Sequence, residues 1–344
     1  MAQDLGEVAA ALEGYLGSEW GPVSVGGLVE SSAGARRRNI LFDATRTDSG
    51  EVLPLVLTIS PPADTMVLGI VEETTALRLA EQKGAPVPHL FEMSEDPAWF
   101  GRPFFISGRV EGETVPRRVL RLVEEHGIGE LVGAQAGAAM ARIHSVPVHD
   151  VPEPLRREPD RDPSTVALEL LGEKIDGLLR PSPSWALAMR WLGENQPNPP
   201  PGHTLVHADF RNGNLIVGED GLRAVLDWEG THTGDPHEDL GWFSVRTWRF
   251  GHDAQVAGGF SRAETLTRSY AEAGGDLDSY SYLWWTIFAT LRWGVGLSVQ
   301  AIEHLSGVTP SIVMAVSGRR SSELEFDLLR LLAGASSRTP GGPA

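Results

Sequence analysis

Hydrophobic and polar positions alternate with two periods along this chain. In 4–16, Leu5, Val8, Ala9, Leu12 and Leu16 recur at helical spacing and predict a short amphipathic helix. Runs of β-forming residues follow at 23–29, 39–42 and 52–59, then at 87–92 and 103–107. Between the third and fourth runs, Val67, Ile70, Val71, Thr74 and Leu77 mark one face of a helix over 64–83, with Gly84 as its stop. Five strands and a helix predict a small α+β lobe over 1–109. Helical spacing dominates beyond it, at 130–144, 165–179, 185–192, 262–271, 280–300 and 321–332. The alanines of 130–144 predict close helix–helix approach. The larger lobe therefore spans 110–333, and the Gly/Ser/Pro-rich stretch 334–344 reads as a flexible tail.

One region of the larger lobe departs from the helical pattern. Leu205-Val206, Leu215-Ile216-Val217 and Ala224-Val225-Leu226 are short apolar runs, and Gly218-Glu219-Asp220-Gly221 is a turn between the last two. His207, Asp209, Asn214, Asp227 and Asp235 lie at the ends of these runs. A hairpin of this kind sets Asn214 and Asp227 side by side, an amide and a carboxylate oxygen that suit Mg²⁺. Asp209 stands nearby as a carboxylate able to accept a proton from a hydroxyl. Asp235 and Asp239 have two readings, contact with substrate or metal, or a helix cap and a brace for the loop backbone.

The loop reads H-A-D-F-R-N-G-N, followed by Asp227-Trp228-Glu229 and Gly234-Asp235-Pro236. This resembles the aminoglycoside phosphotransferase family, whose loop is H-G-D-x-x-x-x-N. The resemblance implies a protein-kinase-like two-lobe fold with a five-stranded antiparallel sheet in the N-terminal lobe. It implies ATP- and Mg²⁺-dependent phosphorylation of a small-molecule hydroxyl, aminoglycoside-like or another metabolite, with GTP as an alternative nucleotide. Asp209 becomes the catalytic base, Asn214 and Asp227 the Mg²⁺ ligands. Arg211 either reaches the γ-phosphate or stabilises the loop, and His207 holds the loop by hydrogen bonds. The small-residue turn around Gly34 is the expected phosphate loop, with Arg36 beside it. Strand alternation sets Arg37 opposite Arg36 and Arg38. Ser107 and Arg109 mark the linker where adenine binds. Thr58 stands where the family places a phosphate-holding cation, and Glu73 matches the helix acid that pairs with that cation. The chain's two lysines, Lys83 and Lys174, lie on no candidate strand of this lobe. A nucleotide-binding protein with lost or marginal catalysis is thus the alternative reading.

Composition narrows the partners. A formal net charge of −17 gives no basic face for nucleic acid and favours a cationic or neutral ligand. There is no cysteine, so disulfide and thiolate chemistry are excluded. The apolar run 282–299 contains Arg292 and reads as a buried helix, not a membrane span. The first residues lack the basic start and apolar middle of a signal peptide, so a cytoplasmic protein is expected.

Overall fold

The computed structural model describes residues 4–31, 37–61, 68–178, 182–307 and 311–336. The N-terminal lobe is built on an antiparallel sheet of β1 (Val23–Glu30), β2 (Arg38–Arg46), β3 (Val52–Ile59), β4 (Leu90–Ser94) and β5 (Phe104–Gly108). Its order is β1-β2-β3-β5-β4. One face packs against α1 (Leu5–Trp20), through Val8, Leu12 and Leu16 against Ile40, Phe42, Leu55 and Leu57. Helix α1 begins at a capping box, in which Asp4 and Glu7 each bond the other's backbone N–H, and it runs one turn past the expected 4–16. The other face carries Thr58 and Phe105 and looks toward α2 (Ile70–Gln82). The expected start of that helix lies outside the described residues; its end at Gly84, with φ 76°, is as expected. A short helix, α3 (Pro97–Phe100), interrupts the β4–β5 connection.

The larger lobe contains α4 (Pro116–Glu125), α5 (Gly129–His144), α6 (Pro163–Asp176) and α7 (Pro183–Glu194) before the hairpin region. After it come α8 (His237–Phe243), α9 (Ala263–Glu272), α10 (Ser279–Ser306), α11 (Ile312–Gly318) and α12 (Ser321–Ser336). Helix α4 was not expected, although Val119, Leu120 and Val123 bury one face of it. The close approach of α5 depends on glycine more than alanine: a Cβ at Gly133 would meet Ser261 at 2.1 Å, and one at Gly137 the Leu266 carbonyl at 2.4 Å. Helix α12 continues through Gly334 to Ser336 because Ala335 is buried with Leu328 and Leu332, so regular structure extends into the stretch expected to be a tail. Among the described residues no helix is long and apolar enough to cross a membrane.

Strands β7 (Leu215–Gly218) and β8 (Gly221–Val225) form the expected hairpin. Strand β6 (Thr204–Val206) pairs with a strand the sequence did not announce, β9 (His232–Gly234). Together these pairs bring both ends of the polar region to one place.

Candidate active site

The loop after β6 is held from beneath. Asp239, fully buried in α8, accepts the backbone N–H of His207 at 2.8 Å and of Ala208 at 2.7 Å. His144 and Tyr270 complete the group: His144 Nε2 lies 3.0 Å from Asp239 and its Nδ1 2.9 Å from the Tyr270 hydroxyl. Burial alone would raise the Asp239 carboxyl, but His144 and His207 beside it hold it below the usual range. His207 is enclosed as well. Its Nε2–H donates to the Leu226 carbonyl at 3.1 Å, and its Nδ1 accepts the Asp209 N–H at 3.2 Å. Burial pushes this imidazole below its ordinary pKa, which keeps it neutral in that tautomer. Of the two readings of Asp239, the brace is the one observed. Asp235 accepts the His237 N–H at 2.8 Å and lies 2.7 Å from its Nδ1, but the N-cap of α8 is Pro236, so Asp235 stands one position ahead of the expected cap.

These supports aim Asp209 upward with a quarter of its side chain exposed. Its Oδ1 accepts Trp242 Nε1 at 2.8 Å, and its Oδ2 accepts Asn214 Nδ2 at 2.6 Å. Arg211 Nε reaches both oxygens, at 3.0 and 3.2 Å, while its guanidinium lies 5.0 Å from the Trp248 ring. The carboxylate is thus oriented by three donors.

Asn214 and Asp227 stand at the open end of the β7–β8 hairpin. Leu226 N–H donates to the Asn214 carbonyl at 2.8 Å, which locks the two positions side by side. The Asn214 amide N–H groups are spent on Asp209, so its side-chain oxygen is the end left for a ligand. Asp227 adopts φ 69°, a left-handed backbone. Its carboxyl accepts no hydrogen bond from the described residues. Burial, reinforced by the carboxylates of Glu229 and Asp209, pushes its pKa up. This set of carboxylates beside an amide oxygen concentrates negative charge, but among the described residues no three Asp, Glu or His side chains are grouped so as to hold a metal ion by themselves.

Opposite this set stands Arg37. Its Nη1 donates to Glu73 at 2.5 Å, and its Nε lies 3.5 Å from Glu229. Burial opposes its charge, but Glu73, Glu229 and Asp227 raise its pKa, so it is a fixed cation. The register explains its location. Asn39 pairs with Thr58, and Arg37 is two residues from Asn39, so Arg37 and Thr58 share a sheet face. The helix acid therefore has a cationic partner, supplied by the residue preceding β2 instead of by β3.

A model of the phosphotransferase enzyme family (APH) matches residues 28–275, well over half of the chain. The chain belongs to the phosphotransferase enzyme family. A putative aminoglycoside phosphotransferase from Ralstonia eutropha JMP134 has a similar structure, with TM-score 0.68 and 19% identity over 92% of this chain and 95% of that one. A thermostable mutant of aminoglycoside phosphotransferase APH(4)-Ia, solved with AMP-PNP and hygromycin B, gives TM-score 0.62 and 19% identity over 94% and 99%. Macrolide 2′-phosphotransferase MphH from Brachybacterium faecium gives 0.57 and 16% over 90% and 97%. Mouse acyl-CoA dehydrogenase family member 10 is 27% identical over 188 residues, half of this chain but only 16% of that protein's length.

In this member of the family, Asp209, Arg211, Asn214 and Asp227 converge, and Glu73 faces them through Arg37. Thr58 is buried on the same sheet face. Gly34 and Arg36 lie outside the described residues. Ser107 is buried in β5, paired with β3 and β4. The Arg109 side chain is committed to Asp43 at 2.7 Å and its N–H to the Pro54 carbonyl at 2.9 Å. Sequence reasoning missed Trp242, Glu229 and Arg292, and left Arg37 as one of three adjacent arginines. Strand alternation set Arg37 apart from Arg36 and Arg38 but did not show which of them turns toward the site.

Proposed function

We propose that this enzyme transfers the γ-phosphoryl group of ATP to a hydroxyl of a small molecule with the help of Mg²⁺. The observation that carries the reading is the convergence of Asp209, Asn214 and Asp227 at one end of the β7–β8 hairpin. The acceptor hydroxyl would lie against the Asp209 carboxylate. Its oxygen forms a bond to the γ-phosphorus, the bond from that phosphorus to the β-bridging oxygen breaks, ADP departs, and the hydroxyl proton passes to Asp209. Trp242 and Asn214 fix the carboxylate for this role, and Arg211 limits its charge until the acceptor arrives. Asn214 and Asp227 would hold Mg²⁺, which supplies neutralisation of the phosphate oxygens when bound. Arg37, steadied by Glu73, takes the phosphate-anchoring role that Thr58 cannot fill. This favours a working enzyme over a protein with lost catalysis.

The test is ADP release with Mg²⁺, ATP and a panel of hydroxyl acceptors. Asp209→Asn should lower turnover by about 10²–10⁴-fold, the usual contribution of a positioned base, while calorimetry shows unchanged nucleotide affinity. Near-normal turnover in that variant would remove Asp209 as the base.

A further inference from the structure

The net charge of −17 suggests a ligand that is cationic or neutral. On the α10 side of Asp209 the neighbouring charge is a cation. Arg292, from α10, donates Nη2 to the Ala208 carbonyl at 2.8 Å and Nη1 to Glu238 at 2.8 Å. Its guanidinium lies 4.3 Å from the centre of the Trp242 ring, the same indole that donates to Asp209. The cation therefore stands one residue from the base with its plane fixed, and 31% of its side chain is exposed. The two bonds leave other guanidinium N–H groups for a ligand.

Glu238, the anion of this group, is already shared. His232 Nε2 lies 3.1 Å from its second oxygen. Burial would raise its pKa, but His232, Arg292 and Arg157 hold it down at about 2, so it remains a carboxylate. Arg157 follows the turn Glu153–Leu155, and its backbone N–H donates to Thr233 in β9 at 3.0 Å, next to His232. Its partly exposed guanidinium forms no ion pair among the described residues. Lys174, in the last turn of α6, forms none there either. Burial lowers the pKa of both; at Arg157 the Glu238 carboxylate opposes this and Arg292 adds to it, and at Lys174 both arginines add to it. Arg157 and Arg292 thus act on one carboxylate that His232 also engages. A polycationic acceptor would meet repulsion there, and an anionic group would relieve it.

We propose that the acceptor is an anionic alcohol, with its hydroxyl at Asp209 and its carboxylate or phosphate between Arg157 and Arg292. This rests on the phosphotransferase reading and specifies its substrate class. The two anion types share charge and oxygen geometry, both suited to a guanidinium.

Calorimetry on the full chain, saturated with Mg²⁺ and AMP-PNP, tests it with glycerate, glycerol phosphate, uncharged glycerol and hygromycin B. The anions should bind at least about tenfold more tightly than glycerol or hygromycin B. Arg157→Gln should remove about tenfold of that preference, and Arg157→Lys should keep most of it. AMP-PNP affinity should be unchanged in both variants. The ratio of glycerate to glycerol phosphate affinity tells carboxylate from phosphate recognition. Absence of anion binding, equal binding of glycerol or hygromycin B, or a preference that survives Arg157→Gln overturns the inference while leaving the phosphotransferase reading in place. Failure of AMP-PNP to bind the wild type with Mg²⁺ overturns that reading, and the inference with it.

Discussion

At the scale of single residues, the site is decided by which charges are paired and which are left over. Asp227 brings a full charge to a place that burial and two neighbouring carboxylates make costly. Asp227→Ala should therefore abolish the Mg²⁺ dependence of nucleotide binding; titration with and without Mg²⁺ checks this, and equal affinities in variant and wild type would refute the metal site. Arg37 is the opposite case, a cation whose pairing with Glu73 fixes it over the carboxylates. A charge-assisted bond to phosphate contributes about 1.5–3 kcal/mol, so Arg37→Gln should weaken ATP binding by about tenfold to a hundredfold. Unchanged affinity in a well-folded variant would mean that the phosphates are anchored elsewhere. Asp209, Asn214 and Asp227 were legible in the sequence because their spacing is local. Arg37 was legible only in part, because its meaning depends on Glu73, which lies thirty-six positions away and meets it across the fold. Trp242 and Arg292 were not legible: a tryptophan and an arginine among apolar residues read as packing until the helices that carry them are set beside the loop.

Elements act here as mounts for the loop. Helix α8 carries both Asp239, which grips the loop backbone, and Trp242, which orients Asp209. Its position is set by Gly241, where a Cβ would lie 2.5 Å from the Trp285 backbone in α10. Gly241→Ala must push α8 away from α10 and should destabilise the fold by about 1–3 kcal/mol. Turnover should fall more than the stability loss explains, since Asp239 and Trp242 move together. Thermal unfolding and turnover measured on one preparation check both parts; full activity at an unchanged unfolding temperature would show that the helices are not locked at this point. The five strands of the N-terminal sheet and most helices of the fold follow from apolar periodicity, whereas the order β1-β2-β3-β5-β4 does not. The β6–β9 pair did not, because three-residue strands are too short to show a period. Helix α4 was missed for another reason: its charged residues, Arg117, Arg118, Arg121, Glu124 and Glu125, obscure a stripe of only three buried positions.

For the whole molecule, the buried neutral His207 links the loop to global stability. Its pKa is lowered in the folded state, so between that value and the ordinary one, about 6.5, the unfolded chain binds the extra proton. Stability is fully present above about 6.5 and declines as pH falls below it. The unfolding temperature should drop between about pH 7.5 and about 5.5, and His207→Gln should flatten that slope relative to wild type. Parallel slopes would show that His207 is not the group responsible. The same loop touches a cluster of aromatic rings. Trp242, Trp248 and Trp293 lie within 6.0 Å of one another, centre to centre, and meet Asp209, Arg211 and Arg292 directly. Any ligand that rearranges those three charges alters the electric field across the indoles. The protein therefore has its own optical probe beside the proposed base, and changes in its ultraviolet emission should follow occupancy without an attached label.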